Sequence, residues 1–121
     1  MVRLLVVDDE EDIREAVAEV LHREGFVVET ARDGEQALEK ATAARVYSAI
    51  LLDLMMPRMD GWQFRERQRA DPTIAGIPVI IVSATVPDRI DADAVLPKPF
   101  DAEDLVRTVR SVVAARAAPV A

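Results

Sequence analysis

Two adjacent acids, Asp8-Asp9, a third acid at Asp53, a hydroxyl at Ser83 and an ammonium at Lys98 each follow a short apolar run. The runs are Leu4–Val7, Ile50–Leu52, Ile80–Val82 and Val95–Leu96, the last reaching Lys98 through Pro97. Carboxylates take hard divalent cations, and a hydroxyl and an ammonium suit phosphoryl oxygens. Brought to one place, the set is equipped to handle a phosphoryl group.

The elements that must position these residues are legible from the apolar pattern. Unbroken Val, Ile and Leu runs of this length read as strands buried on both faces, as in a parallel sheet. Ligands of such sheets bind at the carboxyl ends of the strands, where all these polar groups fall. Between the strands, Ile13, Ala16, Val17, Val20 and Leu21 recur at helical spacing, and Gly25 ends that helix. A second strand is expected at Phe26–Val28, and Asp33 with Gln36 has the form of a capping box opening a second helix through Ala41. A third strand over Val46–Leu52, a third helix over Trp62–Arg69 and a fourth strand over Ile77–Val82 follow. Val95–Leu96 is a short fifth strand. A last helix starts near Asp101 and carries Leu105, Val109, Val112 and Val113 on one face. Residues 1–115 are expected as one domain and 116–121 as a frayed tail.

Composition narrows the classes. A chain of 121 residues, half of them hydrophobic, is a single globular domain. Its net charge of −7 argues against direct nucleic-acid binding through a basic surface. It has no Cys, so disulfides and thiolate metal sites are excluded. The first apolar run is too short for a signal peptide and no stretch reaches the length of a membrane span, so a cytoplasmic location without membrane insertion is expected. His22, late in the first helix and without a second His, reads as structural or inert.

Asp8-Asp9, the stretch from Asp53 through Pro57 to Asp60-Gly61, Ser83-Ala84 and Lys98-Pro99-Phe100 together resemble the receiver domain of two-component response regulators. The likeness covers the chain from about Val2 to about Val113. It implies a flavodoxin-like, doubly wound five-stranded parallel sheet in the order 2-1-3-4-5. It further implies that Asp53 accepts a phosphoryl group from a phosphohistidine of a sensor histidine kinase or histidine phosphotransfer protein. Mg²⁺ would be held by Asp9, Asp53 and the Met55 backbone carbonyl, with Asp8 acting mainly through water. Lys98, Ser83, Met55 and the Ala84 amide would contact the phosphoryl group, and the Lys98–Pro99 peptide would be cis. With Met1 directly before the first strand, a stand-alone receiver that changes partner binding is expected, one that catalyses only its own phosphorylation and dephosphorylation.

Each residue alone has a plainer reading. An Asp pair at a strand end often caps a helix, Lys98 reads as a solvated lysine, and Ser83 as a hydroxyl bonding its own turn. One pocket accounts for all of them jointly. Met55, two residues past Asp53, offers no acid or base, which disfavours a phosphohydrolase and implies slow self-dephosphorylation.

The chain also departs from the pattern it resembles. Lys98 follows Ser83 by 15 positions, about two helical turns fewer than the family has. A loop or single short turn is therefore expected across Ala84–Pro97 in place of the family's fourth helix. Val95 stands where an aromatic switch residue is usual. Arg65 and Gln68 replace core aliphatics of the third helix, so that segment reads as basic and weakly amphipathic, with arginines on a solvated face or under a partner. A pseudo-receiver, binding partners without regard to phosphate, is the alternative.

Overall fold

The computed structural model describes residues 2–44, 47–84 and 91–117. Strands β1 (Arg3–Val7), β2 (Val27–Ala31), β3 (Ala49–Asp53), β4 (Val79–Ser83) and β5 (Ala94–Pro97) alternate with helices α1 (Glu11–Arg23), α2 (Gly34–Ala44), α3 (Gly61–Ala70) and α4 (Ala102–Ala117). All neighbouring strands pair in parallel, in the order β2-β1-β3-β4-β5. The expected sheet order is the observed one.

The continuous apolar runs are explained by burial on both sides of the sheet. Leu4, Val6, Leu51, Ile80, Val82 and Leu96 face one core with Val17 and Leu21 of α1 and Leu105 and Val109 of α4. Their alternates Leu5, Val7, Ile50, Leu52, Val79 and Ile81 face a second core with Ala37 and Ala41 of α2 and Phe64 of α3. The period of two along each strand divides the side chains between the cores. A change such as Leu51→Ala in either layer would cost about 2–5 kcal/mol, lost transfer energy and cavity combined.

Boundaries shift modestly from expectation. β2 begins one residue later than Phe26 and runs on to Ala31, β4 begins after Pro78, and α4 continues past Val113 to Ala117. Among the described residues no helix lies between Ser83 and Ala94, in line with the short spacing; residues 85–90 of that expected loop, Val46 of the expected third strand and 118–121 of the expected tail lie outside the described residues. No helix among the described residues is long and apolar enough to cross a membrane.

Candidate functional site

β1 and β3 are neighbours, and the chain order reverses between them, so their carboxyl ends open the crevice where such sheets bind ligands. Asp53 is the last residue of β3 and Asp8 directly follows β1. The Asp8 N–H continues the ladder to the Ala31 carbonyl at 3.1 Å. Carboxylate oxygens of Asp8, Asp9 and Asp53 all lie within 4.8 Å of one another. Asp8 and Asp53 are 4% and 5% exposed, whereas Asp9 opens to solvent.

Lys98 enters from the far side of the sheet. β5 pairs with β4, and the Lys98 N–H donates to the Ser83 carbonyl at 2.8 Å just past the strand end. Its Nζ lies 3.4 Å from Asp8 Oδ2 and 3.8 Å from Asp53 Oδ1, so one ammonium spans two buried carboxylates. The Lys98–Pro99 peptide is cis, as the resemblance implies. Ser83 is buried at the end of β4 beside this lysine, and Ala84, next along, is exposed.

One cation among three acids leaves the cluster short of positive charge. Burial, and next the Asp8 charge, push the Asp53 pKa up to about 6, against the pull of Lys98 and the Met55 N–H. That N–H donates to Asp53 Oδ1 at 3.3 Å while the Met55 side chain is 68% exposed. Three oxygen donors converging with excess negative charge suit a hard divalent cation.

The helix-capping reading of the acid pair is not what the structure holds. The N-cap of α1 is Glu10, without a side-chain cap bond; Asp8 Oδ1 instead accepts the Glu10 N–H at 2.9 Å, fixing the strand-to-helix turn. Arg14, unremarked in the sequence, closes that turn by donating from Nη1 to the Asp8 carbonyl at 2.9 Å. Its place one residue past Ile13 and three before Val17 was the available sign that it leans toward the sheet.

The loop after Asp53 is held by Gly61, whose N–H donates to the Leu54 carbonyl at 3.0 Å. A Cβ there would lie 2.8 Å from Leu54 Cα and 3.1 Å from the Asp53 carbonyl. Asp60 and Gln63 then form a reciprocal capping box for α3. The box expected at α2 is half present: Asp33 Oδ1 accepts from Gln36 N–H, but Gln36 Oε1 takes the Arg32 N–H, one residue early.

The third helix corrects the sequence reading. Arg65 and Gln68 are buried, at 7% and 0% exposure, and are covered by this chain itself; Arg67 and Arg69 are the solvated ones. Both buried groups spend their polar atoms on carbonyls and on each other.

The chain matches the family model described as the response regulator receiver domain over residues 4–110. It is 38% identical over 119 residues to the response regulator MprA of Mycobacterium ulcerans, covering 93% of this chain and 50% of that protein. To a transcriptional regulatory protein of Haemophilus influenzae, a CpxR homolog, it is 33% identical over 126 residues, 98% of this chain and 53% of that protein. The chain thus spans about half the length of these curated relatives. Among solved structures, chemotaxis protein CheY4 of Vibrio cholerae is 34% identical with a TM-score of 0.86, covering 93% of this chain and 98% of that one.

Proposed function

This chain belongs to the response regulator receiver family, and on that premise we propose that Asp53 accepts a phosphoryl group from a phosphohistidine of a sensor histidine kinase or histidine phosphotransfer protein. The observation that carries the reading is the meeting of Asp8, Asp9 and Asp53 within 4.8 Å under the Lys98 ammonium. A carboxylate oxygen of Asp53 attacks phosphorus in line with the departing imidazole. The P–N bond breaks, and the electron pair leaves with the imidazole, which takes up a proton. The product is an acyl phosphate on Asp53, reactive enough for a transient signal.

Transfer of this kind depends on positioning and charge neutralisation. Asp8, Asp9 and Asp53, with the Met55 carbonyl, are the residues that would hold Mg²⁺, which supplies charge neutralisation for the phosphoryl oxygens when bound. Lys98 Nζ lies within 3.8 Å of both Asp8 and Asp53, so its positive charge stands beside the place where an oxygen of a phosphoryl group on Asp53 would be. The Ser83 hydroxyl and the Ala84 N–H are the remaining contacts, both at the end of β4. The protein acts only on itself, and its output is a change in what it binds.

A second reading, a module that binds its partner irrespective of phosphate, is favoured by Val95. That half-buried side chain packs against the α2/α3 core where the resemblance expects a ring to turn. The two readings share the pocket and differ in whether Asp53 is modified. Borohydride reduction after incubation with acetyl phosphate and Mg²⁺, followed by peptide mass mapping, decides the acceptor. The expected result is homoserine at position 53; modification at another residue, or at none, contradicts the assignment.

A further inference from the structure

On the buried side of α3, Gln68 Nε2 donates to the carbonyls of Ile74 and Ile77 at 2.9 and 3.0 Å, tying the helix to the turn before β4. Its Oε1 accepts from Arg65 Nη1 at 2.6 Å. The rest of the Arg65 fork closes on a single backbone oxygen: Nε and Nη2 donate to the Asp91 carbonyl at 2.9 and 2.6 Å. The Asp91 carboxylate is 3.9 Å from Arg65 and 73% exposed, so solvent screens that pair and the carbonyl grip dominates.

Two residues on, Asp93 exchanges bonds with the start of β4. Its N–H donates to the Val79 carbonyl at 2.9 Å, and its Oδ2 accepts the Val79 N–H at 2.8 Å. β5 then runs for four residues to Pro97, which has no N–H for the ladder. It is an edge strand, paired on one side only. A strand this short is placed along the sheet largely by its ends, and its far end delivers Lys98 to Asp8 and Asp53.

We propose that Arg65 is a positioning residue for phosphoryl transfer: by gripping the Asp91 carbonyl it sets where β5 lies against β4, and so where the Lys98 ammonium stands over Asp53. Apolar packing would fill the same volume at equal or lower cost in stability than a buried guanidinium. It would not supply a directional grip on one carbonyl, and a lysine would supply only part of it. The four-residue strand, paired along its length with β4, carries the placement from Asp91 to Lys98. This inference rests on the reading of Lys98 as the cation that faces the phosphoryl group.

The test is a double-mutant cycle on the whole chain, with Arg65→Met and the milder Arg65→Lys each made alone and in a Lys98→Ala background. The initial rate of phosphorylation by acetyl phosphate at saturating Mg²⁺ is read by intact mass, the Mg²⁺ affinity by calorimetry and the fold by thermal unfolding. Arg65→Met alone should slow the reaction about tenfold or more, the scale of a small misplacement of a reacting group, with Arg65→Lys between it and the parent. Mg²⁺ affinity should stay within about twofold, because the three carboxylates lie at the ends of β1 and β3. In the Lys98→Ala background either Arg65 change should then alter the rate by less than about twofold. Equal slowing in both backgrounds, or no slowing by a folded Arg65 variant, overturns the inference. A normal rate in Lys98→Ala alone overturns the reading of Lys98 beneath it.

Discussion

Asp53 is a carboxylate buried beside another carboxylate, and its proton affinity records the strain. In the folded chain its pKa is pushed up to about 6 from an ordinary 3.8, burial contributing most and Asp8 next. The native state therefore holds this proton more tightly than the unfolded chain. Stability from this residue is highest below about pH 4, declines as pH rises through about 6, and levels off above it. Raising this pKa from 3.8 to about 6 corresponds to about 3 kcal/mol. Urea unfolding in chelator should lose about that much between pH 4 and pH 7.5 relative to Asp53→Asn, which lacks the titrating group; parallel pH profiles for the two proteins would contradict it. The acids, Ser83 and Lys98 were legible in the sequence because each sits at the end of an apolar run. The spacing of Arg14 from Val17 hinted at its face but not at its partner, the Asp8 backbone carbonyl, a group every residue has.

At the scale of elements, the loops that deliver the site are shaped by close backbone approach. Gly61→Ala sets a Cβ 2.8 Å from Leu54 Cα, an atom that moves only with the loop carrying Asp53. A loss of about 1–3 kcal/mol is expected, with weaker Mg²⁺ binding. Gly76→Ala meets nothing within 4 Å and should be neutral or stabilising by up to about 1 kcal/mol. Denaturant midpoints of the two variants check this, and equal midpoints would refute the close-approach argument. In α3, Gln68→Ala removes the donor to the buried Ile77 carbonyl and an acceptor of Arg65, so a cost of about 2–4 kcal/mol is expected by urea unfolding. A change below about 0.5 kcal/mol would mean that solvent replaces those bonds. The burial of Arg65 and Gln68 was hidden because residue type and helical spacing describe only one side of a contact. The other side is formed by main-chain carbonyls of Ile74, Ile77 and Asp91, which carry no side-chain signature.

For the whole molecule, the alternation of apolar runs with helical periods pointed to a parallel sheet with Asp8, Asp9, Asp53, Ser83 and Lys98 at its strand ends, and the strand order followed from the family resemblance. The short spacing from Ser83 to Lys98 also agrees with the lack of a helix among the described residues between β4 and β5. The tether of the returning chain was not legible: the buried Arg65 fork ties Asp91 to α3. The central property of the cluster is metal-dependent acceptance of a phosphoryl group. Intact mass after incubation with acetyl phosphate and Mg²⁺, beside the same incubation in chelator and with Asp53→Asn, tests it most directly. One phosphoryl group is expected on the parent protein with Mg²⁺ and on neither control. An unmodified parent that still binds Mg²⁺ would contradict it.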